Sequence, residues 1–493
     1  MGRYLDEDER YRRPIVCNVY RDPIELFDRH LYEKSAAVLH MLRGELGWER
    51  LQRGLRQYVE DNATRNVETI DLVRAIERAT GRNVRGFFAQ WIDRAGHPEL
   101  EVKAAWDAER SALTLEIEQK QTVDDEHPPY AFDIEAGFVA AAPAAVARDA
   151  GDGPVAGEHR VRLHVERAHE TFVIALAAEP ALIRIDPGAY LLCTLTYALG
   201  TERHVAILRG DPSPVARIRA ARSLAKDPAR AAHDALAAAL RDEPFWGVAV
   251  EIATELGSTR TGGARAALLA ALAHPHPKVR RAVADALGTY REPEVATALI
   301  DARSDASYFV AGAALTALGK TRDARAFEVL SAGLREPSWN EVIASGAASG
   351  LAELADPRAL EPLVAASRPD RAEPLRRAAV GALARLGTLV DAVRTAAVDA
   401  LERALDDPSY VVRLSTYAAC EKLADARLLP ALDRQAAAES DGRLRRDAAE
   451  AAVRVRGAAR TPPELVRLRE EVDRLRDDLN RLRDRDQPVA PQA

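Results

Sequence analysis

The segment DPSPVARIRAARSLA, residues 211–225, decides the fold of more than half of this 493-residue chain. Its Asp-Pro pair marks a turn that caps a helix, because aspartate accepts hydrogen bonds from the first helical amides and proline fits the first turn. Apolar side chains then recur at helical spacing among small alanines, which allow another helix to approach closely. We interpret this segment as the second helix of a helical pair.

Seven further segments of this kind follow at a nearly fixed interval of a little over thirty residues. They cover residues 243–257, 276–288, 305–319, 336–352, 372–387, 407–424 and 441–455. Each pair can bury its apolar stripe only against its neighbours, which is the property of a solenoid. The pattern DPxxxVRxxAAxALG resembles the short HEAT-like repeats of phycobilisome lyases. We therefore predict a HEAT-like α-solenoid of about eight repeats over residues 205–460.

The ligand of this solenoid cannot be read from the repeats. A HEAT solenoid usually holds a peptide or protein on its concave face, so a protein partner is one expectation. The other is that the repeats close the cavity of a neighbouring catalytic domain. Arginines recur at equivalent positions in VRR (279–281) and LRR (375–377), but acidic residues alternate with them, so we expect a salt-bridged face rather than a basic ladder.

Downstream of the repeats, residues 463–486 follow a strict heptad. The a and d positions are Leu465, Leu468, Val472, Leu475, Leu479 and Leu482. Acidic residues at g face arginines at e, so a parallel dimer would pair opposite charges. This predicts a coiled-coil helix and a weak homodimer through residues 465–482, although docking on the last repeat would bury the same leucines. Residues 487–493 are predicted to be a disordered tail.

Upstream of the repeats, residues 98–200 change from helical spacing to an alternation of period two, which predicts an antiparallel β-sandwich. The predicted strands are 100–106, 113–118, 132–138, 161–165, 171–176 and 182–186, and the alanine- and glycine-rich stretch 140–157 is predicted to be a loop. His164 and His169 fall on polar strand edges, where we expect solvated side chains rather than a metal pair.

Residues 1–97 return to helical patterns. In FDRHLYEKSAAVLHML, residues 27–42, Leu31, Val38 and Leu42 recur at helical spacing, which places Tyr32 in the first turn of an amphipathic helix. A short apolar helix follows at residues 87–92, before the chain turns into the first strand.

Five segments of this region agree in order and spacing with one known family. They are RRPIV (12–16), ELFD (25–28), YEKSAAVLHML (32–42), ETIDL (68–72) and FFAQWIDRAGHPELEV (87–102). Together they resemble the C-terminal half of the catalytic domain of the zinc aminopeptidase N family, peptidase family M1, a gluzincin. The resemblance implies that the Tyr32 hydroxyl donates a hydrogen bond to the oxyanion formed during peptide hydrolysis. Where the family usually has glycine, this chain has Ser35.

The zinc-binding half of that domain is missing from the sequence. None of the eleven histidines lies in an HExxH motif, and the GxMEN motif is also absent. The resemblance implies zinc and a peptide substrate for a complete domain, but we expect this chain alone to bind no zinc and to be inactive. The apolar side chains of Phe27, Leu31, Phe87, Phe88 and Trp91 are expected to form an uncovered patch. The alternative is a non-catalytic scaffold that holds a partner on its repeats.

Composition sets the remaining bounds. The chain is 47% hydrophobic and 29% charged, a balance typical of globular proteins, with a mainly helical multidomain fold expected overall. A net charge of -7 gives no global attraction to nucleic acid. No apolar run approaches the ~20 residues of a membrane helix. Three scattered cysteines and an acidic start unlike a signal peptide predict a cytoplasmic location.

Overall fold

The computed structural model describes residues 2–140 and 155–458. The described residues form two compact units that divide after Leu224. The predicted fold class, multidomain and mainly α with a β-sandwich and HEAT-like repeats, is confirmed. The predicted coiled coil and tail lie outside the described residues, as does most of the loop 140–157, so the homodimer through residues 465–482 stays a prediction.

The first unit begins with a layer of helices. These are α1 (Gly2–Asp8), α2 (Ser35–Leu46), α3 (Trp48–Asn62), α4 (Thr69–Thr80) and α5 (Arg85–Trp91). A short 3-10 turn, Pro23–Leu26, and a π-helical turn, His30–Lys34, lie between α1 and α2. The prediction that Tyr32 opens an α-helix is therefore wrong in detail, because the Lys34 amide donates to the Arg29 carbonyl five residues back, at 2.9 Å.

Two small sheets follow. The strands are β1 (Glu99–Asp107), β2 (Ala112–Gln119), β3 (Phe132–Val139), β4 (His159–Val165), β5 (His169–Ala175), β6 (Leu182–Ile185) and β7 (Thr194–Ala198). They form one sheet in the order β5-β2-β1-β7 and another in the order β4-β3-β6. All six predicted strands are present, but β7 was missed and pairs parallel to β1. The expectation of purely antiparallel pairing is therefore wrong.

The apolar patch expected on the helical layer is largely covered within this unit. Trp91 is buried and stacks on Tyr130, which precedes β3, with ring centroids 5.2 Å apart. Phe88 is also buried, whereas Phe27 remains 61% exposed. The prediction was wrong for Phe88 and Trp91 because sequence spacing alone did not show that the segment before β3 crosses over α5.

The rest of the chain is helical. The helices are α6 (Thr201–Gly210), α7 (Pro214–Lys226), α8 (Arg230–Asp242), α9 (Trp246–Thr259), α10 (Gly262–Ala271), α11 (Pro277–Leu287), α12 (Pro293–Ala302), α13 (Tyr308–Thr321), α14 (Ala326–Gly333), α15 (Val342–Leu354), α16 (Leu360–Ala366), α17 (Glu373–Leu389), α18 (Asp391–Ala404), α19 (Tyr410–Leu423), α20 (Leu429–Ala438) and α21 (Gly442–Ala458). All eight repeat segments contain the predicted helix. Among the described residues, no helix combines the length and apolarity needed to span a membrane.

Ion pairs link each of several repeats to the next. Arg280 on α11 donates from Nε and Nη2 to both carboxylate oxygens of Asp305, at 2.7 and 2.8 Å. Arg376 on α17 holds Asp407 in the same way, at 3.0 and 3.1 Å. Each aspartate lies in the turn before the second helix of the following repeat. One arginine of each predicted segment, Arg280 in VRR and Arg376 in LRR, is therefore salt-bridged. The other two differ, since Arg281 lies over the Phe309 ring and Arg377 donates to the Ser415 hydroxyl.

Helices α13 and α15 approach so closely that their backbones touch. A Cβ atom added to Gly346 would lie 2.3 Å from the Gly312 carbonyl oxygen, and one added to Gly319 would lie 2.0 Å from the Gly350 oxygen. Only glycine fits such contacts. We call these four residues, Gly312, Gly319, Gly346 and Gly350, the glycine seam.

Candidate active site

Tyr32 lies on the surface of the first unit. Its side chain is 58% exposed, and its ring lies 6.3 Å from that of Phe27. The π-helical turn that carries it buries His30 and Lys34 completely on its inner side. Such wide turns are frequent at functional sites, because the extra residue redirects neighbouring side chains. The turn therefore holds Tyr32 out to solvent while its inner side chains are fixed.

Arg13, from the RRPIV segment, fixes the loop that leads to this turn. Its Nε and Nη2 donate to the two carboxylate oxygens of Asp28, at 2.9 and 2.6 Å. The same guanidinium donates to the carbonyls of Pro14, at 2.7 Å, and Leu26, at 3.0 Å. A buried two-point pair of this kind orients both partners. Both ends of the loop are consequently tied to one side chain.

Asp28 connects this loop to the π-helical turn, since its Oδ1 also accepts a hydrogen bond from the Leu31 amide at 3.0 Å. Burial acts to raise the pKa of Asp28. The hydrogen bonds from Arg13 and from Leu31 outweigh that effect and hold the pKa below its usual value. Asp28 is therefore an ionised acceptor at neutral pH.

His30 lies between carboxylates on both sides of its ring. Its Nε2 is 3.3 Å from Asp8 Oδ1, and its Nδ1 is 3.4 Å from Asp28 Oδ2 and 3.6 Å from Glu7 Oε1. Asp8 is also 3.3 Å from His97 Nδ1. Burial raises the pKa of Asp8, but hydrogen bonds from His30 and His97 more than offset it, so the pKa lies well below its usual range. This cluster anchors the π-helical turn on α1.

Lys34 attaches the other end of the turn to the chain beyond α5. Its Nζ donates to the Arg94 carbonyl at 3.0 Å and lies 5.7 Å from the centroid of the Tyr4 ring. Burial lowers the pKa of this ammonium group to about 8. The turn that carries Tyr32 is thus held at both ends by buried, hydrogen-bonded charges.

The described residues do not provide the ligand set of a catalytic zinc. One group, Glu7, Asp28 and His30, brings ligand atoms within 4.8 Å of one another. Arg13 already binds Asp28, and Arg29 lies 3.3 Å from Glu7, so a cation there would face two guanidinium groups. His30 is fully buried, which leaves no open position for a substrate. We interpret this group as a structural ion-pair cluster.

His164 and His169 lie on strands of different sheets, and both are exposed. His164 is exposed and its Nδ1 lies 2.7 Å from Asp133 Oδ1; that hydrogen bond raises the pKa of the histidine.

The sequence singled out Tyr32 but gave no site role to Asp8, His30 or Lys34. Arg13 and Asp28 lie within segments that carry the family resemblance, which was the available signal for them.

These features define a multidomain protein in which a peptidase-like helical layer precedes a β-sandwich and a helical solenoid. Residues 4–91 match the peptidase family M1 domain. Residues 234–317 and 266–349 match HEAT repeats, and residues 343–368 and 375–407 match the PBS lyase HEAT-like repeat. The chain therefore joins part of a peptidase family M1 domain to HEAT repeats.

Curated relatives are similar over a limited stretch. Tricorn protease-interacting factor F2 of Thermoplasma volcanium is 37% identical over 118 residues, which is 23% of this chain and 15% of that protein. Aminopeptidase M1-C of Oryza sativa subsp. japonica is 35% identical over 20% of this chain and 10% of its own length. Aminopeptidase N of Lactococcus lactis is 34% identical over 21% of this chain and 11% of its own length. The match thus spans a small part of each relative.

The fold itself matches more of the chain. The crystal structure of Legionella pneumophila aminopeptidase A in complex with aspartic acid aligns with 90% of this chain and 58% of its own, with a TM-score of 0.59 and 15% sequence identity. At that identity the likeness concerns architecture alone. It extends the resemblance from the helical layer through the sandwich and the repeats.

Proposed function

We propose that this chain is the C-terminal portion of an M1-type zinc aminopeptidase, which removes N-terminal residues from peptides when the zinc-binding half is present. In that role the Tyr32 hydroxyl donates a hydrogen bond to the oxyanion of the tetrahedral intermediate. In this proposal the chain alone is inactive, because its sequence has no HExxH motif. The observation that carries the proposal is the exposed Tyr32 on a turn whose inner side chains are all fixed.

Preorganisation is the physical reason why the fixed side chains around Tyr32 support this role. A donor stabilises a transition state most when it does not have to reorient as charge develops. The bonds of Arg13, Asp28 and Lys34 fix the backbone on either side of Tyr32. Exposure leaves the hydroxyl accessible to a substrate bound by the other half of the domain. These contacts support the proposed role.

The alternative function is a non-catalytic scaffold that binds a protein partner through its repeats. It is favoured by the poor fit between zinc and the Glu7–Asp28–His30 group. Sequencing the genomic DNA immediately 5′ of the Met1 codon distinguishes the aminopeptidase proposal from the scaffold alternative. An in-frame HExxH with a downstream glutamate would support the aminopeptidase, whereas a stop codon and no neighbouring gene with the zinc half would favour the scaffold.

The role of Tyr32 is tested in the completed protein by Tyr32→Phe. We expect kcat to fall about 100-fold or more with KM little changed, because the lost hydrogen bond is strongest in the transition state. Hydrolysis of an aminoacyl p-nitroanilide measures both constants. Tyr20→Phe, at another exposed tyrosine of the same unit, is the matched control. Equal turnover of the Tyr32→Phe variant and the parent would remove Tyr32 from the mechanism.

A cytoplasmic location is part of the same proposal. Cys17, Cys193 and Cys420 are all free thiols, and the latter two are buried. Disulfides are rare in reducing compartments, so free thiols are typical there.

A further inference from the structure

A row of exposed aromatic side chains crosses the solenoid of the second unit. Trp339 is 66% exposed, Phe309 48%, Phe245 40% and Trp246 37%. All lie where the second helix of a repeat begins: Trp246 and Phe309 in the first turns of α9 and α13, Phe245 just before α9, and Trp339 in the turn before α15. Large apolar side chains that recur at one repeat position on a surface indicate a contact site.

Two cations join these rings into a continuous surface. Lys278 Nζ lies 4.0 Å from the centroid of the Trp246 ring, and the Arg281 guanidinium lies 5.7 Å from that of Phe309. Both residues are on α11, three positions apart, and so share one face of that helix. The Phe309 and Trp339 centroids are 6.4 Å apart. We call Phe245, Trp246, Lys278, Arg281, Phe309 and Trp339 the aromatic band.

The centre of the band carries two cations, and one acid, Asp285, lies near Arg281 on the same helix. Lys278 and Arg281 are exposed and rest on aromatic faces. The first turns of α9, α11 and α13, all within the described residues, contain no acidic side chain. Just before them, Glu243 accepts a hydrogen bond from the Phe245 amide at 2.9 Å and Asp305 accepts one from the Ser307 amide at 2.8 Å. The nearby Asp305 is already held by Arg280. Two acidic residues, Glu336 and Glu341, lie close to Trp339 in the sequence.

We propose that the aromatic band binds an extended peptide segment of a partner protein in which a central acidic residue is flanked by apolar residues. The acidic side chain pairs with Lys278 and Arg281. The apolar residues on either side pack on the rings of Trp246 and Trp339. Aromatic and arginine side chains are also the residue types that contribute most of the binding energy in protein interfaces. This inference deepens the alternative function proposed above, the binding of a partner protein through the repeats, and does not depend on the peptidase role.

The test uses the full chain and an array of 12-residue peptides. The central pair is Glu-Glu, Ser-Ser or Lys-Lys, and the flanks are either leucine- and proline-rich or serine- and glycine-rich. We expect binding only to peptides with an acidic centre and apolar flanks. Fluorescence anisotropy with the best soluble peptide then gives Kd. We expect at least a tenfold weakening for Phe309→Ala with Trp339→Ala, and the same for Lys278→Glu with Arg281→Glu.

Charge reversal and a matched control complete the design. The Lys278→Glu, Arg281→Glu variant should gain affinity for the lysine-centred peptide, a result that an unfolded variant could not give. Trp48→Ala, which removes another exposed tryptophan with a nearby arginine, Arg43, should leave Kd unchanged. No saturable binding at 1 mM peptide, or equal affinity for acidic and basic centres, would overturn the proposal. Tighter binding of a 12-nucleotide oligothymidylate would instead assign the band to single-stranded nucleic acid.

Discussion

At the scale of single residues, the guanidinium of Arg13 ties the carbonyls of Pro14 and Leu26 to the carboxylate of Asp28. The sequence indicated that Arg13 belongs to a family segment but not what it contacts. Fifteen residues separate Arg13 from Asp28, and their pairing depends on the path of the intervening loop. The role of Tyr32, in contrast, is predicted directly by the family resemblance of its segment and stays a prediction.

The buried ammonium group of Lys34 should make stability depend on pH. Burial lowers its pKa from 10.5 to about 8, so between these values the unfolded chain binds more protons than the folded one. The free energy of unfolding contributed by this group therefore rises as pH increases from about 8 to 10.5. The shift corresponds to about 3 kcal/mol. Urea denaturation of the parent and Lys34→Met at pH 7 and 10.5 measures it.

We expect the free energy of unfolding of the parent, relative to that of Lys34→Met, to be about 3 kcal/mol higher at pH 10.5 than at pH 7. Lys103→Met replaces a half-exposed lysine in the same unit and should change stability little at either pH. If the difference between the parent and Lys34→Met stays constant with pH, the ammonium group is not desolvated in the folded protein.

At the scale of elements, glycines of the glycine seam differ from other helical glycines in how closely another helix approaches them. The sequence alone does not distinguish the two kinds. Gly346→Ala would place a methyl group 2.3 Å from a carbonyl oxygen of α13, so the helices must move apart. Overpacking of this kind destabilises by about 1–3 kcal/mol, and more where backbone cannot yield. Gly381, inside α17, has nothing within 4 Å of an added Cβ. Gly381→Ala should stabilise by about 0.5–1 kcal/mol.

Thermal and urea denaturation of the two variants test this contrast. Equal effects of Gly346→Ala and Gly381→Ala would show that α13 and α15 are not in backbone contact.

Periodicity alone predicted both helices correctly but could not distinguish the two glycines, because a close approach is a property of two elements together. The missed strand β7 has the same origin, since its parallel pairing with β1 joins segments nearly one hundred residues apart.

At the scale of the whole molecule, the ion pairs between repeats should control cooperativity. Arg376→Met would leave Asp407 buried without its partner, a change that typically costs about 3–5 kcal/mol. Because a solenoid is held together by contacts between neighbours, weakening one interface should separate the unfolding of the last repeats from the rest. Denaturation followed by circular dichroism should then show two transitions, or a lower apparent m value.

Arg230→Met is the control for that experiment. Arg230 pairs with Asp234 four residues away on the same helix, α8, and is 60% exposed, so its loss should have little effect. A single, unshifted transition for Arg376→Met would mean that the pair with Asp407 does not join the repeats. The second helices of the repeats could be predicted because their spacing recurs along the sequence. The acidic partner of each arginine could not be predicted, because it lies one repeat away in the sequence.

The placing of each acid one repeat after its arginine has a consequence for the evolution of repeat number in such chains. Arg280 and Arg376 each find their acid in the following repeat, and Arg413 likewise lies 3.2 Å from Glu439. Unequal recombination that removes or duplicates one whole period would therefore keep an acid opposite each of these three arginines, whereas loss of a partial period would separate the partners. The glycine seam follows a different rule, because α13 has Ala311 at the position of Arg280. Removal of α13 or α15 alone would take away the close neighbour that the remaining glycines of the seam fit.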